Sequence, residues 1–197
     1  MKRFDRRLVG HLSRDEIEAL LAAPDPNTWC GQRDRVLFAT LYNTGARVSE
    51  LIHLRVGDVV LGKAPCAHIH GKARKQRTVP LWRSTASQIK SWLQRNGALP
   101  DQMLFPNRSG NPMTRSNVTA RLKLAVQTAT RQCPQLSSHP VSPHVIRHYL
   151  TFLIMSGDTV ELPRPSEDYW LRGRRAQPIT RHNFLCSTKP KSWFAGW

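Results

Sequence analysis

Thr44-Gly45-Ala46-Arg47-Val48-Ser49-Glu50-Leu51 is the stretch on which the reading of this chain turns. A Thr-Gly break sets Arg47 immediately before a short helical segment, so its guanidinium projects from a fixed backbone corner rather than from a mobile tail. Such a corner suits an anion clamp, because the planar fork of N–H donors matches a carboxylate or a phosphate. Taken alone, a surface arginine, or one salt-bridged to Glu50, is the plainer reading. The neighbouring segments decide between them.

Upstream, Ser13 followed by Glu16 has the spacing of a capping box, and Ile17, Leu20 and Leu21 give a short first helix one apolar face before Pro24-Asp25-Pro26 ends it. From Arg33, the residues Val36, Leu37, Phe38, Leu41 and Tyr42 mark a second helix buried on one side, which the Thr44-Gly45 pair breaks. Downstream, Ser49 to Leu54 reads as a further turn or two of helix ending near Gly57-Asp58. The period then changes. Ala67 to His70 and Arg77 to Leu81 are strand-like segments flanking Gly71-Lys72-Ala73-Arg74-Lys75, which is too charged for a core. A β-hairpin with a basic tip is the reading.

Helical spacing returns over Ser84 to Arg95 through Ile89, Trp92 and Leu93, with Asn96-Gly97 as C-cap. Residues 100–112 read as loop containing one apolar piece, Met103-Leu104-Phe105. Thr114 caps another helix with Val118, Leu122, Ala125 and Val126 on one face. Ser142 with Pro143 just inside starts a last helix, carried by Ile146, Leu150, Leu153 and Ile154 to Gly157. On that helix His144 and Arg147 lie three apart near the N-terminus, where backbone N–H groups also favour an anion, and His148 extends the same face. In isolation they read as polar residues on a solvated face.

Composition narrows the partner. Among 197 residues, 30 Lys and Arg oppose 13 Asp and Glu, a formal charge of +17, while 40% hydrophobic content is enough for a packed core. A broad polyanion-facing surface follows, with nucleic acid as the leading partner. No apolar stretch approaches the ~20 residues of a bilayer span, and the basic Met1 to Arg7 start leads into a charged helix rather than a signal sequence. The expectation is a cytoplasmic protein with no membrane association. Cys30, Cys66, Cys133 and Cys186 show no CxxC pair, so reduced, mostly buried thiols are expected. Cys66, His68 and His70 alternate along one strand as a possible metal trio, but the spacing offers no fourth ligand. Neither a metal nor another cofactor is expected.

Three motifs in order, Thr44 to Leu51, Gly71 to Leu81 and Ser142-Pro143-His144-Val145-Ile146-Arg147-His148, closely resemble the catalytic domain of tyrosine recombinases, the phage-integrase family. The likeness runs from about Ser13 to Gly157. It implies an α+β, mainly α fold with a small antiparallel sheet or hairpin, and site-specific recombination or integration of double-stranded DNA through a phosphotyrosyl intermediate. By resemblance, Arg47 and Arg147 grip the scissile phosphate, Lys72 protonates the leaving oxygen, and His144 assists proton transfer. Arg74, Lys75, Arg77 and His148 are expected to contact DNA, with self-association on it. Two guanidiniums stabilise charge on phosphoryl oxygens without Mg²⁺.

The sequence departs from the family beyond Arg147. The Leu-Gly-His box and the tyrosine after it are not recognisable, and the only later tyrosines are Tyr149 and Tyr169. Tyr149 reads as core, leaving Tyr169 as the nucleophile candidate. Residues 158–197 are Pro- and Arg-rich, an irregular and poorly ordered basic tail set against a catalytic domain over 1–157. A frameshift or fusion replacing the final helices is one origin for that tail. The usual N-terminal core-binding domain is not evident. Impaired strand transfer is therefore expected, with a catalytically inactive DNA-binding remnant as the alternative.

Overall fold

The computed structural model describes residues 12–71, 75–97, 99–138, 140–147 and 149. Within them the order is α1 (Arg14–Ala22), α2 (Trp29–Thr44), α3 (Val48–Leu51), β1 (Val59–Val60), β2 (Cys66–His70), β3 (Gln76–Pro80), α4 (Arg83–Asn96) and α5 (Arg115–Ala129). Short 3₁₀ turns occupy Val56–Asp58 and Pro134–Ser138, and residues 143–147 are helical. The expected mainly α class with a small antiparallel sheet is what folds. No helix among the described residues is long and apolar enough to cross a membrane.

Local chemistry sets the helix ends. Glu16 N–H donates to Ser13 Oγ at 3.2 Å and Ser13 N–H to Glu16 Oε2 at 2.6 Å, so α1 begins on the capping box its sequence announces. Thr28 caps α2 through its hydroxyl, which accepts from Gly31 N–H at 3.1 Å. Gly31 is obligatory there: a Cβ would stand 1.9 Å from the Asp25 carbonyl oxygen. At the other end of α2, Gly45 takes φ 55° and ψ 26°, and Gly97 closes α4 at φ 57°. Both are left-handed caps, a region that costs a side-chain-bearing residue about 1–2 kcal/mol.

The sheet runs β1-β2-β3, all antiparallel, and β1 is a strand that hydropathy alone did not reveal. Two residues long, it carries too little pattern to be read. Ala67 pairs with Val79 and Ile69 with Arg77, so these four share one face of the sheet. That face meets the main core, where Leu37, Phe38, Leu41, Leu51, Leu54 and Ile89 are fully or almost fully buried. The apolar piece at 103–105 belongs to this core as well: Leu104 N–H donates to Leu54 O at 2.8 Å, and Trp92 Nε1 donates to Leu104 O at 2.9 Å. A smaller cluster of Leu12, Ile17, Ala129, Leu136 and Tyr149 joins α1, α5 and the 143–147 helix.

Asn43 ties α2 to the sheet. Its Oδ1 accepts from Trp82 N–H at 2.9 Å and its Nδ2 donates to Pro80 O at 3.4 Å. On the opposite side, buried Asp34 accepts from Arg33 and from Arg121, bracing α2 against α5. The result fixes α2, and hence the corner that follows it, against both the sheet and the helical layer.

Candidate active site

The corner after α2 is built from side chains as well as from Gly45. Thr44 Oγ1 donates to Thr40 O at 2.7 Å and accepts from Ala46 N–H at 3.3 Å, while Ala46 is 1% exposed. Arg47 follows in extended geometry as the N-cap residue of α3. Glu50, one turn on, reaches back: Arg47 N–H donates to Glu50 Oε2 at 2.9 Å and Arg47 Nη1 to Oε1 at 3.1 Å. The Arg47 side chain nevertheless remains 59% exposed. Its backbone is pinned while its guanidinium meets solvent.

A second arginine arrives from the hairpin. Arg77 Nη2 donates to Glu50 Oε2 at 2.6 Å, and only 25% of the Arg77 side chain is exposed. The sheet register explains this, because the face shared with Ile69 and Val79 looks inward. Gly71 closes the base of the hairpin by donating to Lys75 O at 2.7 Å. A Cβ on Gly71 would lie 3.5 Å from Glu50 Oε1, so the hairpin base rests on the same carboxylate.

Glu50 therefore sits buried, accepting three hydrogen bonds from described residues. Burial alone would raise its carboxyl pKa, but the Arg77 and Arg47 hydrogen bonds and the Arg77 charge outweigh it and hold the group below its ordinary value. Arg147 belongs to the same electrostatic neighbourhood. Burial lowers its pKa first, the Arg47 and Arg77 charges lower it further, and Glu50 opposes them. Side chains from three distant parts of the chain, Arg47, Glu50 and Arg77 among them, thus act electrostatically on one another or on Arg147.

The remaining sequence candidates divide. His144 is exposed and stands one turn before Arg147 on the 143–147 helix, where Ser142 Oγ accepts from Val145 N–H at 3.3 Å. Lys75 is exposed at the hairpin. Lys72, Arg74, His148 and Tyr169 lie outside the described residues. Tyr149 is buried and stacks on Tyr42 with ring centroids 6.1 Å apart. The Tyr42 phenol is pushed up to about 12, first by burial and then by Tyr149.

The Cys66, His68 and His70 side chains are engaged separately. Cys66 is buried, His68 Nδ1 meets Thr78 Oγ1 at 3.0 Å, and His70 Nε2 meets Asp58 Oδ1 at 3.0 Å. Among the described residues no group of three or more His, Cys, Asp or Glu is placed to hold a metal ion. Of the three described cysteines only Cys66 is buried, with Cys30 and Cys133 half-buried. The expectation of mostly buried thiols needs that correction: Cys30 lies in the first turn of α2, and Cys133 lies in the connection between α5 and the 134–138 turn.

Two participants were under-read from sequence. Glu50 entered only as a salt-bridge partner for Arg47, and Arg77 only as one more cation of the hairpin. Each had a signal: an acid three residues after an N-cap position, and an arginine two residues before the core-facing Val79.

The model of the phage integrase family matches residues 11–160. The chain belongs to the phage integrase family. A putative integrase/recombinase, y4rC, of Sinorhizobium fredii is 35% identical over 157 residues, 79% of this chain and 47% of that protein. The tyrosine recombinase XerD of Pseudomonas aeruginosa is 35% identical over 163 residues, 80% of this chain and 52% of its own length. Among solved structures, the XerH site-specific recombinase bound to its difH substrate before cleavage superposes with a TM-score of 0.65 at 25% identity, covering 78% of this chain and 45% of that one. The XerA recombinase gives the same TM-score at 24% identity, which speaks for the fold, over 81% of this chain and 54% of that one. The chain spans about half the length of the curated relatives it matches.

Proposed function

We propose that this chain supplies the phosphate-gripping part of a DNA strand transferase acting in site-specific recombination. One observation carries the reading: Glu50 holds the Arg47 backbone N–H at 2.9 Å and Arg77 Nη2 at 2.6 Å, while 59% of the Arg47 side chain stays exposed to meet a phosphodiester oxygen. A phosphodiester undergoing in-line attack gains charge on its non-bridging oxygens, and fixed guanidiniums stabilise that charge without reorganising. Arg47 offers its solvent-facing edge to one such oxygen, and Arg147 a second fork from the helix that also carries His144.

In the reaction a tyrosine phenol gives its proton to His144 as it attacks phosphorus; the P–O bond to the leaving sugar breaks, and Lys72 gives that oxygen a proton. The phosphotyrosyl link is reversed when a sugar hydroxyl from a partner strand attacks in turn. His144 assists the proton transfers, Tyr169 is the candidate nucleophile, and Arg74, Lys75 and His148 contact the duplex backbone. Self-association on DNA belongs to the same reading.

A specific observation favours a second reading, DNA binding without cleavage: Tyr149, the tyrosine nearest in sequence to Arg147, is 6% exposed and committed to the core. A nicked suicide duplex that traps the covalent intermediate separates the two. An adduct that disappears in Tyr169→Phe supports the transferase. No adduct, together with duplex binding that weakens steeply with salt, supports binding alone. Duplex binding that survives Arg47→Ala plus Arg147→Ala unchanged refutes both.

A further inference from the structure

Arg77 lies within the basic hairpin, yet its geometry differs from that of a residue available to DNA. It stands opposite Ile69 on the sheet face shared with Val79, and its Nη2 is spent on Glu50 Oε2 at 2.6 Å. That same oxygen accepts from the Arg47 backbone N–H at 2.9 Å, and the other Glu50 oxygen takes Arg47 Nη1 at 3.1 Å. One carboxylate therefore joins the corner after α2 to β3. Gly71, at the hairpin base, packs against it, and a side chain there would meet Glu50 Oε1 and the Lys75 carbonyl.

We propose that Arg77 is a positioning residue rather than a DNA contact: through the shared Glu50 carboxylate it locks the base of the β2–β3 hairpin to the Arg47 corner. The proposal deepens the phosphate-grip reading and rests on it for its purpose, although the lock itself exists without DNA. Its consequence is geometric. Gly71 and Arg77 flank the basic tip in sequence, so the lock ties both ends of the hairpin base to the Arg47 corner, and small errors of placement at a reacting phosphate cost large factors in rate.

The lock also accounts for the choice of arginine at an inward position. A buried carboxylate needs a partner that stays charged and reaches it from a strand, and a guanidinium is the most weakly hydrated cation available for that task.

The test reads the full chain first without DNA, using the Arg47 Nε–Hε cross-peak in ¹⁵N NMR spectra. Arg77→Gln is expected to shift or broaden that peak, Glu50→Gln to do the same, and Arg77→Gln in a Glu50→Gln background to add nothing. The Trp92 indole signal reports that the fold is intact; where Arg77→Gln loses it, Arg77→Lys is read in its place. An Arg47 peak unmoved by either Arg77 variant, or moved additively with Glu50→Gln, overturns the lock. A control at exposed Lys90 (Lys90→Gln) should leave the peak in place.

The second arm measures affinity for a duplex across a salt series. A lost phosphate contact flattens the log K against log[salt] slope by about 0.9. A lost lock acts through Arg47, so Arg77→Gln weakens binding about tenfold and Arg47→Gln then adds little in the Arg77→Gln background. A slope flattened by that full unit, with additive effects, makes Arg77 a contact and overturns the proposal. If Arg47→Gln alone leaves duplex affinity unchanged, the phosphate grip fails, while the DNA-free spectra still decide the lock.

Discussion

Replacing Glu50 by glutamine keeps the side chain's shape and removes its charge, so it isolates what the carboxylate does. Glu50 accepts from Arg47 N–H, Arg47 Nη1 and Arg77 Nη2. A hydrogen bond to a charged group contributes about 1.5–3 kcal/mol, but the Arg47 guanidinium is 59% exposed and its share falls below about 1 kcal/mol. Arg77, at 25% exposure, keeps most of its value. The amide also turns an N–H₂ toward donors where an acceptor stood. Glu50→Gln should therefore destabilise the fold by about 3 kcal/mol near neutral pH, measured by urea denaturation, and lower the melting temperature by roughly 6–12 °C for a domain of this size. The pH dependence carries a definite sign. The folded carboxyl titrates below its ordinary value, so its contribution is fully present above the unfolded pKa of about 4.3 and is lost as pH falls through the folded pKa. The stability gap between parent and variant should thus be largest near pH 7 and narrow progressively below about pH 5. A gap under about 0.5 kcal/mol at pH 7, or one equally wide at pH 7 and pH 4, would refute the reasoning.

Three further outcomes follow from other parts of the fold. Asn43→Ala removes the acceptor of the Trp82 N–H and should cost about 1–3 kcal/mol in denaturant unfolding, because a polar group at that junction loses its partner. Gly45→Ala places a Cβ on a backbone at φ 55°; a loss of about 1 kcal/mol is expected, and a melting temperature equal to the parent's would contradict the left-handed cap. Cys66 is buried and burial raises its thiol pKa, so peptide mapping after timed iodoacetamide treatment of the native chain should find Cys30 and Cys133 alkylated well before Cys66.

Legibility in the sequence followed the strength of local patterns. Ser13 and Glu16 announce α1 because a capping box is a four-residue device whose both halves are written in the chain. Thr44-Gly45 announces the end of α2 because a left-handed C-cap selects glycine. β1 was invisible, since two residues cannot display alternation and its pairing of Val59 with Ala67 is a tertiary choice. The candidate site could be read from the sequence only as a series of cations in order, which is what three short motifs convey. Its centre was not, because the value of Glu50 depends on which side of the hairpin faces it. That orientation is set by the register Ile69 to Arg77, which no single segment contains.

The arrangement of charge suits an incoming anion. Arg47, Arg77 and Arg147 together bring three positive charges into a neighbourhood with Glu50 as the one carboxylate shown to act on Arg147. Bringing like charges together costs free energy, and the lowered Arg147 pKa is the signature of that cost, with desolvation as its larger part. At Glu50 the Arg47 guanidinium is turned to solvent, 59% exposed. A phosphodiester brought against Arg47 would relieve the repulsion that Arg147 feels, and more strongly as charge builds on its oxygens during attack, which is the condition for stabilising a transition state over a ground state.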